Sequence, residues 1–76
     1  MITTGAIETM VRKALPGAQV AVSDMTGTGD HFEVRVVSEL FRGKPLIEQH
    51  RMVFAVLEAE MDRNIHAVKL KTSAPK

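Results

Sequence analysis

Phe32-Glu33-Val34-Arg35-Val36-Val37 is the clearest strand repeat in the chain. Its apolar residues Phe32, Val34 and Val36 recur at every second position, the repeat of a strand with one buried face. Upstream, Ala18, Val20 and Val22 alternate with Gln19, Ala21 and Ser23 in the same way. Met25 to Asp30, with glycines at 27 and 29, joins the two strands as a hairpin loop longer than a tight turn.

Helical periodicity flanks this pair. Ile7, Met10, Val11, Ala14 and Leu15 stand at i, i+3, i+4, i+7 and i+8, one stripe of an amphipathic helix. Thr3 or Thr4 caps its start. Pro16-Gly17 ends it, because proline cannot continue the hydrogen-bond ladder and glycine accepts a left-handed turn. Ser38 to Lys44 reads as a connector, and Pro45 fits the first position of a second helix, where its missing N–H costs nothing. Leu46, Ile47, His50, Val53, Phe54, Leu57 and Met61 follow at helical spacing, with an expected end near Asp62-Arg63-Asn64. All three phenylalanines, Phe32, Phe41 and Phe54, are expected in the core. Ile65 to Lys71 reads as a last strand, with His66, Val68 and Leu70 on one face and Ala67, Lys69 and Lys71 on the other, before a polar tail from Thr72 to Lys76. The order α-β-β-α-β is an α+β fold. A right-handed crossover makes the third strand parallel to the second, and both helices are expected on one face of a three-stranded mixed sheet.

The 76 residues make one domain, with room for one core layer and little room for an enclosed active site. A hydrophobic fraction of 45% and a charged fraction of 25% are ordinary globular usage. A net charge of +1 is too balanced to imply nucleic-acid or membrane binding by bulk electrostatics. The chain has no cysteine, so it has no disulfide and no cluster or zinc site held by its own thiolates. No apolar run approaches the roughly 20 residues of a membrane span, and the first residues lack the pattern of a signal peptide. A soluble cytoplasmic protein is expected, or an organellar one if a targeting segment has been removed.

Chemistry must therefore come from three histidines, some acids and a few bases. The chain carries no Gly-rich phosphate motif with a lysine, no His-Glu-x-x-His, and no nucleophile with a base beside it, which speaks against an enzyme. Ser23 and Ser38 read as strand-end or loop hydroxyls. His66 opens the last strand in phase with Val68 and Leu70, where a rigid, half-buried neutral imidazole can ligate a metal through one nitrogen while the other is held by a backbone partner. From the pattern alone, a hydrogen-bonded histidine at the rim of the core is the more ordinary role. His31 precedes the core residue Phe32 and so points away from the core or lies at the edge of the loop. His50, beside Arg51, reads as a boundary histidine packed over its helix. Arg42, Lys44 and Arg51, with Lys69 and Lys71, could form a basic stripe, but Glu39 and Glu48 interrupt it and base-stacking aromatics are scarce.

Three segments together resemble the BolA family: Asp30-His31-Phe32-Glu33-Val34 running into Val36-Val37-Ser38-Glu39; Phe41-Arg42-Gly43-Lys44-Pro45-Leu46 followed by Gln49-His50-Arg51-Met52-Val53; and Ile65-His66-Ala67-Val68-Lys69-Leu70-Lys71-Thr72. They cover nearly all of the chain from residue 20 onward. The resemblance implies a KH-like α-β-β-α-β fold and a non-enzymatic adaptor. Such an adaptor pairs with a monothiol glutaredoxin of the Cys-Gly-Phe-Ser type around a bridging 2Fe–2S cluster. Glutaredoxin and glutathione supply thiolates, and the Ile-His-Ala segment supplies a histidine, here His66. The resemblance puts a second ligand in the loop between the first two strands, near Thr28. That loop has no cysteine, and His31 at its end is the candidate. The family's Arg-His-Arg helix motif is Gln49-His50-Arg51 here, one charge fewer. The alternative that the resemblance carries is a nucleic-acid-binding transcriptional regulator, with Arg42, Lys44, His50 and Arg51 as its contacts. Phe41-Arg42-Gly43-Lys44 is not the Gly-x-x-Gly clamp of KH domains. DNA and a second copy of the chain are the further partners left open; a membrane is not.

Overall fold

The computed structural model describes residues 3–25, 27, 31–61 and 67–75. The elements run α1 (Thr4–Ala14), β1 (Gln19–Asp24), β2 (His31–Val37), a short 3-10 turn (Glu39–Phe41), α2 (Leu46–Met61) and β3 (Ala67–Ser73). This is the expected α-β-β-α-β order.

Thr3 is the cap of α1: its Oγ1 accepts a hydrogen bond from the Ala6 N–H at 3.1 Å. Arg12 and Lys13 occupy the last turn, where cations complement the helix dipole. Ile7 and Val11 are fully buried. The helix stops before Pro16, and Gly17 takes φ 82°, a left-handed conformation that glycine adopts without steric cost. The Met25 N–H donates to the His31 carbonyl at 2.8 Å where the hairpin begins.

β2 is the central strand. It pairs antiparallel with β1, Val20 opposite Val36 and Val22 opposite Val34. It pairs parallel with β3, His31 beside Ala67 and Val37 beside Ser73. Phe32, Val34 and Val36 of β2 are buried with Val20, Ile7, Val11, Leu15, Phe41, Val53 and Leu57. Val68 and Leu70 pack against them. Gln19, Ala21, Arg35, Lys69 and Lys71 point to the opposite, exposed face. Both helices therefore cover one face of a mixed sheet.

Four expectations change. The connector is not merely a link: Ser38 is buried and its Oγ accepts from the Leu40 N–H, capping a 3-10 turn that drives Phe41 wholly into the core. Pro45 precedes α2 rather than opening it; its carbonyl accepts from Glu48 N–H and Gln49 N–H. The tail begins later than Thr72, since Thr72 and Ser73 belong to β3 and the Ser73 carbonyl accepts from the Ser38 N–H. Residues 62–66, with the expected end of α2 and start of β3, lie outside the described residues.

The fourth change concerns the apolar stripe of α2. Val53 and Leu57 are fully buried and Met52 and Val56 partly so, but Leu46, Ile47 and Phe54 are exposed, Phe54 at 39%. Phe54 stands one residue, about 100°, round the helix from Val53. It falls on the flank beside the core rather than in it.

Truncating Phe41 should therefore cost far more than truncating Phe54. Urea unfolding should give about 3–5 kcal/mol for Phe41→Ala and about 1 kcal/mol or less for Phe54→Ala. Equal losses would mean that Phe54 is a core residue after all.

Candidate functional site

His31 and the basic candidates stand at opposite ends of the β2–β3 ladder. At one end β2 begins with His31. It is half-buried and shares the open-face row with Glu33 and Arg35, away from the inward Phe32. This is the orientation that the strand phase predicts. Ala67, its neighbour in the parallel ladder, is the residue that follows His66 in the sequence. His66 itself lies outside the described residues, as do Thr28 and Asp30 of the hairpin loop. Among the described residues no three His, Asp or Glu side chains gather in a group able to hold a metal ion, and the chain has no cysteine.

The other end holds Arg42, Lys44, His50 and Arg51, where the connector meets the start of α2. β2 rises about 20 Å from residue 31 to residue 37, so these side chains do not join the His31 end. Arg42 makes a bidentate pair with Glu39 at 2.8 and 2.7 Å and also donates to the Pro75 carbonyl at 2.8 Å. It ties the C-terminal segment to the connector. Arg51 pairs with Glu48 at 3.2 Å. The Gln49 side-chain amide donates to the Lys44 carbonyl at 2.9 Å, so the glutamine in place of a basic residue has a local structural partner. His50 is half-buried, and its Nε2 is covered without a hydrogen bond to a described residue, as expected of a boundary histidine. The basic stripe breaks up: Lys69 and Lys71 stand on the open face of the sheet, with the sheet between them and α2.

That open face holds an ionic cluster that sequence reading missed. Arg35 Nε donates to Glu33 Oε1 at 2.9 Å, and Lys71 Nζ lies 3.7 Å from the same oxygen. The hydrogen bond from Arg35 is the largest influence on the Glu33 carboxyl. Partial desolvation opposes it, the charges of Lys71, Arg35 and Lys69 reinforce it, and the pKa lies below the ordinary 4.5. The Glu39 carboxyl is likewise held below 4.5, first by its hydrogen bond from Arg42. The period-2 phase of residues 31–37 and 67–71 carried the signal for the open-face cluster; only the ladder register was missing.

No helix among the described residues is long and apolar enough to cross a membrane. The BolA-like protein family matches residues 10–76. Protein BOLA2 of Arabidopsis thaliana is 46% identical over 72 residues, 93% of this chain and 76% of that protein. The DNA-binding transcriptional regulator BolA of Escherichia coli (strain K12) is 37% identical over 46 residues, 60% of this chain and 44% of that protein. The solved structure of a bolA protein homologue from Coxiella burnetii superposes with a TM-score of 0.82 at 34% identity, covering 99% of this chain and 94% of that one.

The depressed carboxyl pKa values set a direction for acid stability. A group whose pKa is lower in the folded state stabilises the fold above its unfolded pKa, and that stability is lost as pH falls through the folded value. Glu33 and Glu39 should both titrate below 4.5 by carboxyl NMR, and stability should decline below that pH. Arg35→Ala should move the Glu33 titration upward and leave that of Glu39 unchanged. A Glu33 titration unmoved by Arg35→Ala would contradict the assignment.

Proposed function

The chain belongs to the BolA-like protein family, and from that membership we propose that it is a non-enzymatic iron–sulfur adaptor. It pairs with a monothiol glutaredoxin and contributes histidine ligation, first from His66 and then from His31, to a 2Fe–2S cluster bridging the two proteins. Its role is in cluster assembly, trafficking or iron-status signalling. The glutaredoxin and its glutathione bring the thiolates.

One observation carries the reading: His31 stands at the start of the central strand beside Ala67, one peptide bond from His66 in the sequence. A peptide bond holds successive Cα atoms about 3.8 Å apart, and neighbouring strands lie about 4.8 Å apart. His31 and the residue that follows His66 in the sequence therefore share one end of one ladder, which supports the reading. The donor set fits a contributor rather than a sole holder. The chain offers imidazole but no thiolate, and no group of three metal-ligating side chains gathers among the described residues. When bound, a cluster with a histidine in place of a thiolate has a raised potential and a ligand that protonation can release. That chemistry suits transfer or sensing better than storage.

The competing reading, a DNA-binding regulator, is favoured by the description of the Escherichia coli relative. Here two of its four candidate contacts are already engaged, Arg42 by Glu39 and the Pro75 carbonyl, and Arg51 by Glu48.

Anaerobic titration of the protein into cluster-loaded monothiol glutaredoxin, followed by visible circular dichroism, tests the proposal. The wild type should give a new cluster spectrum that His66→Ala abolishes; loss in His31→Ala as well would make both residues ligands. Without a new spectrum or a complex, the adaptor reading is withdrawn. Salt-dependent binding of the metal-free protein to duplex DNA would then support the regulator.

A further inference from the structure

The helices leave one face of the sheet uncovered, and its charge is not evenly spread. β2 carries His31, Glu33, Arg35 and Val37 along this face. β3 sets Lys69 beside Glu33 and Lys71 beside Arg35. β1 contributes the small or neutral residues Gln19, Ala21 and Ser23. Three cations thus share two adjacent strands with one carboxylate. The carboxylate is the more deeply placed: the Glu33 side chain is 19% exposed, against 60% for Arg35 and 51% for Lys71. A molecule approaching from solvent meets the cations first.

The relief of the face agrees with its charge. Ala21 is the cross-strand neighbour of Arg35 and leaves open space beside it. The result is a shallow trough of about 250 Å³ lined by Ala21, Val22, Ser23, Glu33 and Arg35. Arg35 uses Nε on Glu33, and its terminal nitrogens make no hydrogen bond to a described residue. Lysines on an edge strand alone would serve to discourage strand pairing. Arg35 stands on the central strand, which has no free edge to guard, so that role does not account for it.

We propose that this open sheet face is the docking surface for an acidic protein partner, with Arg35, Lys69 and Lys71 as the groups that attract it. The proposal rests on the adaptor reading and names the surface by which the glutaredoxin approaches. The face is continuous with the ligand end: His31 heads the same row, and the Cα of Lys69 lies about 8 Å from that of His31, from strand rise and spacing. Thiolates bring negative charge to the metal they hold, so a cationic approach beside the histidine end complements a partner carrying such a group. A nucleic acid fits less well. No aromatic residue stands among the described residues of this face to stack on a base, and Glu33 would lie against phosphate. Opposite charges at a rim act mainly on the rate of encounter.

The test is stopped-flow association with monothiol glutaredoxin, apo and cluster-loaded, at about 50 and 200 mM salt. Wild type is compared with Lys69→Glu/Lys71→Glu and with the gentler Lys69→Gln/Lys71→Gln, which keeps the test available if charge reversal impairs folding. The association rate should fall about tenfold or more for the reversed variant at low salt. It should fall by less for the neutral one, and the gap should narrow at high salt. The cluster spectrum at saturating partner should be unchanged. His66→Ala should do the reverse, losing the spectrum while keeping the rate. Unchanged rates in both lysine variants, with His66 still carrying the spectrum, would overturn the docking face alone. If the lysine variants lost duplex DNA binding but kept the glutaredoxin rate, the face would belong to nucleic acid. A wild type that forms no complex with glutaredoxin removes the adaptor reading and this surface together.

Discussion

The parallel ladder between β2 and β3 is the constraint on which the other placements depend. Parallel neighbours cannot be joined by a tight turn; the chain must return along the whole strand before pairing again. α2 makes that return. Its 16 residues span about 24 Å, close to the roughly 23 Å of a seven-residue strand. The helix that brings β3 back beside the start of β2 also buries Val53 and Leu57 over the sheet. A slip of one residue in this register would turn β3 over, since β2 is also held in phase by β1. Val68 and Leu70 would leave the core face, and Lys69 and Lys71 would turn toward it. Register, core and candidate site are thus one requirement.

The same ladder sorts charges that composition presents as a balance. Glu8–Arg12, Glu39–Arg42 and Glu48–Arg51 are local pairs three or four residues apart on exposed surface, a kind that contributes little to stability. Arg42 does more because it also reaches the Pro75 carbonyl, 33 residues away. Glu33, Arg35, Lys69 and Lys71 come together only because two strands lie side by side. The near-zero net charge therefore hides a cationic open face on one side of the sheet and neutralised local pairs on the helices and the connector.

A domain of this size has a single core layer and must draw on its connectors to fill it. Phe41 and Ser38 are both buried, though neither belongs to a long helix or a strand. Where the connector, the start of α2 and the end of β3 meet, Gln49 Oε1, His50 Nε2 and Thr72 Oγ1 are covered without a hydrogen bond to a described residue. Buried polar atoms of this kind are ordinarily met by water. Their position suits a structural end of the molecule, with His31 at the other.

The periods were legible along the chain without any tertiary information. Alternation at two residues fixed the inward faces of β1 and β2. Spacing at three and four fixed α1, and Thr3, Pro16 and Gly17 bounded it, because these signals act between residues close along the chain. The same local logic set His31 outward from Phe32. What stands beneath each face follows from packing between distant segments. Helical phase relates Leu46, Val53, Phe54 and Leu57 to one another, but only the position of α2 over the sheet buries Val53 and Leu57 while leaving Leu46 and Phe54 exposed. Sequence likewise named Arg42, Lys44 and Arg51 as one basic group with Lys69 and Lys71. The fold divides them, since residues that look alike in a list of charges are separated by the thickness of a sheet. The meeting of His31 with Ala67, 36 positions later, is of the same kind: no local rule reaches across a helix, and a strand ladder does.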